Sequence, residues 1–227
     1  TFKTVLTNVI CADIDGDGDL DSTADLNDDG EIEVTEAETI LGLGVRDRNI
    51  SSLDGIQYFV NIQFLNASEN NLTSINLSQN IALDNLIIYD NDIEELNLNN
   101  NILLERLFAE DMNLLTIDLS QNSNLTILDL GGNPVSELDL SNNSALEYLI
   151  LPNCPLNNLD VTNLTNLYTI EISHNNLNTL DLTQNNLLYY LFASDCNNLN
   201  ELDLSNSKNL QIVLSDNNDE LSSVNIQ

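Results

Sequence analysis

Residues 125–145 read LTILDLGGNPVSELDLSNNSA, and the next two segments, 146–166 and 167–187, repeat the same pattern. Each unit has the form L-x-x-L-x-L-x-x-N-x-L-x-x-L-x-L-x-x-N followed by two residues. Successive units begin 21 residues apart, with one final step of 22, at Ile62, Leu83, Leu104, Leu125, Leu146, Leu167, Leu188 and Leu210. A short fixed period of this kind predicts a repeat protein whose coils stack into a solenoid.

Each unit contains two L-x-x-L-x-L segments. The alternation in L-x-L points the leucines to one side and the intervening residues to the other. One coil is too short to bury its own leucines, so neighbouring coils must stack, and each buried leucine then contributes roughly 1.5–3 kcal/mol. The Asn at the ninth position, as in Asn70 and Asn91, should turn inward and bond backbone groups that would otherwise be buried without partners.

The repeats resemble the nested bacterial leucine-rich repeats of about 21 residues, called IRREKO-type, of secreted and surface proteins of the Bacteroidetes group. The resemblance covers residues 50–227. It implies a β-rich, right-handed solenoid of about eight repeats, with parallel strands on two sides. The first Asn is replaced by Met112, Cys154 and Cys196, and the second by Leu164. We expect these departures to leave the stack intact.

Cys154 and Cys196 occupy the same repeat position two coils apart. At about 4.8 Å per coil their backbones would be about 9.6 Å apart, beyond the roughly 7 Å limit for a disulfide. We therefore predict that both cysteines are reduced and buried in the slots of the asparagine row.

The strongly negative net charge limits the classes of partner that the chain can bind. The chain has 37 acidic and 5 basic residues, a formal net charge of −32, whereas nucleic-acid binding requires a basic surface. An anionic membrane surface is disfavoured for the same reason, and no apolar run approaches the roughly 18 residues of a membrane helix. His174 is the only histidine and lies in a polar turn. No nucleophile–base set or phosphate-binding glycine loop is visible, so we do not expect an enzyme.

A calcium-binding loop is indicated at residues 25–36. The segment matches D-x-[DN]-x-[DN]-G-x5-E position by position, in the manner of EF-hand and dockerin loops. The predicted ligands are Asp25, Asn27, Asp29, the carbonyl of Glu31, Glu33 directly or through water, and the bidentate Glu36. A solvated acidic loop would explain the charge but not Gly30, Ile32 and Glu36 at these offsets.

A second, incomplete copy precedes it. Asp13, Asp15, Asp17, Asp19 and Asp21 fit the same motif, but the twelfth position is Ala24, which has no ligating side chain. A second ion would need Asp25 as a substitute or shared ligand. Residues 1–11 carry apolar residues at helical spacing. Residues 1–49 are therefore predicted to form a helical, calcium-stabilised cap, with the exit helix after residue 36, and residues 50–227 the solenoid.

Large apolar side chains occupy outward positions of the first L-x-x-L-x-L segment. A contiguous patch of this kind marks an interaction surface. The alternative is a cross-strand cluster that only stabilises the sheet. The predicted partner-binding residues are Phe64, Ile87, Tyr89, Arg106, Phe108, Tyr148, Ile150, Tyr190 and Phe192. Phe108, Ile150 and Phe192 are the expected anchors.

The leading hypothesis is a non-enzymatic, monomeric recognition or adhesion module, secreted or on a bacterial cell surface, that binds a protein partner. A carbohydrate-binding surface protein and a structural spacer without a ligand are the alternatives. No closing cap follows the coil that begins at Leu210. We expect the natural chain to continue, with the signal peptide and the sorting or anchoring region outside this segment.

Overall fold

The computed structural model describes residues 1–196 and 198–225. Its helices are α1 (Phe2–Asn8) and α2 (Val34–Ala37), and a 3-10 turn spans Ile56–Tyr58. The strands are β1 (Ala12–Asp13), β2 (Gly42–Gly44), β3 (Phe64–Asn66), β4 (Asn85–Ile87), β5 (Arg106–Phe108), β6 (Ile127–Asp129), β7 (Tyr148–Ile150), β8 (Thr169–Glu171), β9 (Tyr190–Phe192), β10 (Glu201–Asp203), β11 (Ile212–Leu214) and β12 (Ser223–Asn225).

Ten of these strands form one sheet whose order follows the chain, from β1 to β9 and then β11. β1 is antiparallel to β2, and all later pairs are parallel. Residues one repeat apart face each other, as in the row Leu65, Leu86 and Leu107. A slip of one residue would turn every leucine outward, so the repeat period fixes the register. The predicted parallel β-solenoid is confirmed.

The core is a column of inward leucines. Leu86, Leu107 and Leu149 are fully buried, as are their equivalents in neighbouring coils. The last coil differs, because its inward residue Val213 is 37% exposed whereas Leu191 in the preceding sheet coil is 0% exposed. Burial of each coil therefore depends on the coils on both of its sides.

The predicted asparagine row is present. Asn91 donates from Nδ2 to the carbonyls of Ala67 (3.1 Å) and Ile88 (2.9 Å) and accepts from the Leu72 amide (2.9 Å). Asn133 and Asn175 repeat this arrangement. These side chains therefore satisfy backbone groups of two adjacent coils.

Cysteines fill two slots of the same row, as predicted. Cys154 and Cys196 are buried free thiols. Each Sγ donates to the carbonyl that an asparagine would bond, Leu130 at 3.4 Å and Ile172 at 3.2 Å. Burial raises the pKa of the Cys154 thiol to about 11, which makes it unreactive at neutral pH.

A second row lies at the other turn of each coil. It comprises Asn80, Asn101, Asn122, Asn143 and Asn185, each of which donates from Nδ2 to two carbonyls of preceding coils. Their Oδ1 atoms are buried and have no protein donor within the described part of the chain. Where Leu164 interrupts the row, Asn163 donates to the Leu140 carbonyl at 3.0 Å instead. The departure at Leu164 is thus compensated by its neighbour.

The first 49 residues are less helical than predicted. α1 buries Phe2, Val5 and Leu6, and Phe2 packs on Phe59 of the first coil with ring centroids 6.2 Å apart. The predicted exit helix is wrong beyond α2, because Gly42–Gly44 forms β2 and pairs with β3. The sheet of the solenoid therefore runs into the segment assigned to the cap.

The opposite side of the coils carries little regular sheet. Within residues 1–196 and 198–225, its only strands are β10 and β12, which pair in parallel, plus one bridge between Leu180 and Leu202. The prediction of strands on two sides is therefore wrong for the earlier coils, which are held there by the second asparagine row. Among the described residues, none of the helices has the length and apolar character needed to cross a bilayer.

Candidate functional site

The second acidic loop, residues 25–36, has the conformation that its motif requires. The buried Asp25 carboxylate accepts from the amides of Asp29 (3.2 Å) and Gly30 (2.8 Å). Asp28 and Gly30 adopt left-handed φ values of 60° and 87°, which turn the chain sharply around Asp25. The Asn27 Nδ2 donates to Asp29 Oδ2 (3.2 Å) and Glu33 Oε2 (3.4 Å). Asn27, Asp29 and Glu33 therefore lie side by side, whereas among the described residues the only three carboxylates with oxygens within 4.8 Å of one another belong to the preceding loop, residues 13–24.

Glu36 closes this loop. Its Oε1 accepts from the amides of Leu26 (2.8 Å) and Asn27 (3.1 Å), and its Oε2 accepts from the amide of Glu33 (3.0 Å). Burial favours the neutral form of Glu36, but these backbone hydrogen bonds outweigh it and lower its pKa. The Glu36 side chain in turn raises the pKa of Glu33. Two carboxylates thus crowd each other, which a bound cation would relieve.

The first acidic loop, residues 13–24, repeats this backbone. Asp13 accepts from the amides of Gly16 (2.7 Å) and Gly18 (3.0 Å), and these glycines have φ values of 80° and 91°. One carboxylate oxygen from each of Asp13, Asp15 and Asp17 lies within 4.8 Å of the others. Asp19 and Asp21 lie outside this cluster.

The donor chemistry of both loops fits calcium, which prefers carboxylate, amide and carbonyl oxygens. In the second loop Asp25, Asn27, Asp29, Glu33 and Glu36 would hold the ion. The Glu31 side chain instead pairs with Lys3 of α1, which leaves its backbone carbonyl for the role predicted for it. The first loop has three ligands but no carboxylate at Ala24, and Asp25 is already bonded to its own loop.

The predicted partner-binding residues lie mainly on the outer face of the ten-stranded sheet, which we call the sheet face. In register across five strands it presents the row Phe108, Asp129, Ile150, Glu171 and Phe192. The three apolar members are partly buried. They therefore pack against their neighbours and still expose part of their surface. This arrangement is compatible both with an interaction surface and with a cross-strand cluster that stabilises the sheet.

The predicted set is not one patch. Tyr148, Ile150, Tyr190 and Phe192 lie close together on β7 and β9, whereas Phe64 lies on β3 beside the cap. Ile87 and Phe108 are neighbours on β4 and β5, and the exposed Arg106 is on β5. Tyr89 lies beyond β4, where its hydroxyl donates to Glu69 Oε1 (3.4 Å) and Arg46 stacks on its ring (5.7 Å).

An acid pair at the centre of the sheet face was missed by the sequence reasoning. Asp129 is only 8% exposed, and Glu110 has a buried Oε2 without a protein donor in the described chain. Burial, and then the charge of Glu110, raise the pKa of Asp129 to about 7. Gly132 makes room for the nearby Asp111 rather than for the pair itself, since a Cβ there would lie 2.0 Å from Asp111 Oδ1. The Gly131–Gly132 pair, unique among the repeats, was the available signal.

Four tyrosines form a cluster, of which only Tyr148 and Tyr190 are among the predicted partner-binding residues. Tyr168 stacks on Tyr189 with centroids 5.1 Å apart and planes 16° from parallel. Tyr148 and Tyr190 pack against Tyr168 at 5.9 Å and 5.7 Å. Desolvation and the neighbouring phenols raise the pKa of Tyr168, so its hydroxyl remains protonated at neutral pH. Tyr168 and Tyr189 immediately precede β8 and β9, just outside the strand positions that were predicted to bind a partner.

His174 is an exposed turn residue, as its polar turn sequence indicates. It has a left-handed φ of 60°, and its exposed ring lies 3.7 Å from Asp195. Neighbouring coils turn at equivalent left-handed residues, including Asp90, Asp111 and Asn153.

No protein-family model matches the chain, and no curated protein matches it. Several solved structures do match the chain. Internalin C2 from Listeria monocytogenes is 18% identical with a TM-score of 0.65, over 100% of this chain and 92% of that one. The functional domain of InlJ from the same species, which includes a cysteine ladder, is 22% identical with a TM-score of 0.56 and 79% of this chain matched.

A plant protein is also similar. The ectodomain of the receptor kinase GASSHO1/SCHENGEN3 from Arabidopsis thaliana, solved in complex with CASPARIAN STRIP INTEGRITY FACTOR 2, is 20% identical with a TM-score of 0.67 over 82% of this chain. The chain spans 59% of the InlJ domain and 26% of the plant ectodomain. At these identities the likeness establishes the fold. The chain is a leucine-rich-repeat β-solenoid, like these proteins.

Proposed function

We propose that the chain is a non-enzymatic recognition module that binds a protein partner through the sheet face. The observation that carries the proposal is the in-register row Phe108, Asp129, Ile150, Glu171 and Phe192. It places partly exposed apolar side chains, the usual anchors of an interface, at alternate positions along a rigid sheet. Similar solenoid structures, which include a bacterial internalin and a plant receptor ectodomain solved in complex with CASPARIAN STRIP INTEGRITY FACTOR 2, support a recognition role.

The charge of the face indicates the kind of partner. Acidic residues separate the apolar anchors, and the whole chain carries a net charge of −32. A partner with basic groups around an apolar centre would be both attracted and correctly oriented. We infer secretion or bacterial surface display, which agrees with the internalin-like fold.

We further propose that calcium binds the second acidic loop and, more weakly, the first. The second loop has a ligand at every side-chain position of its motif, whereas the first lacks the twelfth. Bound calcium would join α2 to the preceding loop and would neutralise the crowded Glu33 and Glu36. Its role is structural, since the loops lie at the end of the solenoid beside the first coil.

The triple variant Phe108→Ser, Ile150→Ser, Phe192→Ser should lose partner binding. Partners would be captured from extracellular proteins, purified, and measured with each variant by calorimetry. We expect affinity to fall at least about tenfold, because interface anchors commonly cost more than 1 kcal/mol each on truncation. The matched control Ile81→Ser, Ile102→Ser, Leu115→Ser removes apolar side chains that are 59%, 54% and 63% exposed elsewhere. Equal affinity of both triple variants would refute the sheet face as the site.

Calcium should raise the melting temperature and bind with a measurable heat. At free calcium of about 100 times the dissociation constant, the stabilisation is roughly 2.7 kcal/mol. Asp25→Asn with Glu36→Gln should remove the tighter binding event, and Asp13→Asn with Asp15→Asn the weaker one. Glu94→Gln, an exposed acid outside both loops, should change neither. Absence of a calcium heat and of a thermal shift in the wild type would show that the assignment is wrong.

Asp129 should make stability depend on pH. Its pKa rises from about 3.8 when unfolded to about 7 when folded, so the stabilisation present below pH 4 is lost as pH rises towards 7. Asp129→Asn should therefore gain stability relative to wild type between pH 4 and pH 8, by at most about 4 kcal/mol at pH 8, since each pKa unit corresponds to about 1.4 kcal/mol. Denaturant unfolding at several pH values measures this difference.

The control for that experiment is Asp139→Asn. Hydrogen bonds from Ser141 lower the pKa of the exposed Asp139 carboxyl, so its substitution should bring no gain at pH 8. A difference between wild type and Asp129→Asn that is constant from pH 4 to pH 8 would contradict the assignment.

A further inference from the structure

A groove of about 500 Å³ lies at the edge of the sheet where β7, β8 and β9 begin. Its lining includes Tyr148, Tyr168, Tyr189, Glu147, Lys208 and Gln211. The volume is within the range of small-molecule sites, which is about 300–1,000 Å³. Tyr168 and Tyr189 precede their strands, so the groove lies beside the sheet face and shares only Tyr148 with the predicted partner-binding residues.

The aromatic part of the groove is preformed. The near-parallel stacking of Tyr168 on Tyr189 repeats the spacing of the coils, so the sheet itself holds the two rings in place. Tyr148 packs against Tyr168 from the preceding coil. Within the described chain, none of these three hydroxyls takes part in a hydrogen bond. Each ring therefore offers an apolar surface together with a free donor and acceptor.

The rest of the lining is polar. The amide nitrogens of Asn166 and Asn209 donate to the carbonyls of Ser144 (3.3 Å) and Asn186 (3.1 Å), which leaves their side-chain oxygens as free acceptors. Glu147, Lys208 and Gln211 are exposed. Lys208 forms no ion pair within the part of the chain that is described. Acceptors and donors thus surround the rings.

We propose that this groove binds a neutral oligosaccharide. A sugar ring combines an apolar face, which can pack on a tyrosine, with hydroxyls that donate and accept at its edge. The groove presents the same combination. An anionic glycan is disfavoured by the net charge of −32 and by Glu147. A quaternary ammonium ion would need several aromatic faces turned towards one centre, whereas the rings of Tyr168 and Tyr189 are nearly parallel to each other.

Calorimetric titration tests the proposal directly. The probes are neutral hexasaccharides of β-1,4-glucose, β-1,3-glucose, β-1,4-xylose, β-1,4-mannose and β-1,4-N-acetylglucosamine, with choline as a cationic probe. We expect saturable binding of at least one hexasaccharide. Tyrosine fluorescence provides a second readout, since the chain has no tryptophan and four of its six tyrosines lie in the cluster.

The informative variant is Tyr168→Thr with Tyr189→Gln. These substitutions use residues that the chain itself has in the same column, Thr126 and Gln211, so the coils should still stack. Saccharide affinity should fall about tenfold or more. Gln63→Thr, in the same column but five coils from Tyr168, should retain full affinity.

Two results would overturn the proposal: no hexasaccharide binds, whether or not choline does, or the double variant binds a hexasaccharide as tightly as the wild type does. Each is separable from failure of the sheet face, because the groove variant leaves Phe108, Ile150 and Phe192 unchanged.

Discussion

Stacked coils bury the backbone of their own turns, and every buried carbonyl and amide then needs a partner. The two internal rows of asparagine meet this requirement. An asparagine carries both a donor and an acceptor on a short side chain, so Asn91 can bond Ala67 and Ile88 on one side and Leu72 on the other. Without such bonds the leucine core would be formed at the cost of unpaired backbone groups.

The two rows are not equivalent. In the first row both ends of the amide are used, and a cysteine is accepted where one carbonyl still receives a donor, as at Cys154 and Leu130. In the second row the Oδ1 atoms remain unpaired, so less is lost when Leu164 replaces asparagine and Asn163 supplies the donor. Met112 also occupies a slot of the first row and is only 4% exposed, so that row too accepts an isolated residue without a strong side-chain donor.

A fixed interior leaves the outward positions free to vary. The strands are in register, so a residue of one coil always lies beside its equivalents. Side chains at the same repeat position therefore form a column along the sheet. Apolar and acidic residues alternate through Phe108, Asp129 and Ile150, and the flanking apolar side chains help to bury the carboxyl of Asp129. Beside the sheet, the same spacing stacks Tyr168 on Tyr189. One architectural rule therefore produces both candidate binding surfaces.

The architecture could be predicted from the sequence because it is periodic: the register, the leucine core and the first asparagine row all follow from spacing. The backbone of the acidic loops agrees with their motif, through Gly18, Gly30 and Glu36, although ion binding itself stays a prediction. What depended on side-chain packing between coils could not be predicted. The pKa of Asp129 is set by burial and by Glu110, and neither is visible in a linear pattern. The limited sheet on the second side also escaped prediction, since the L-x-L alternation there is not accompanied by strand pairing.

Native-state hydrogen exchange tests the central claim, that the asparagine rows hold the coils together. The amides of Leu72, Leu114 and Leu156 each donate to an asparagine Oδ1, at 2.9, 3.2 and 3.2 Å. If the rows hold the stack, these amides should exchange only when the solenoid unfolds, as slowly as the buried strand amides of Leu86 and Leu107. Rapid exchange at the three turn amides while the strand amides stay protected would contradict the account.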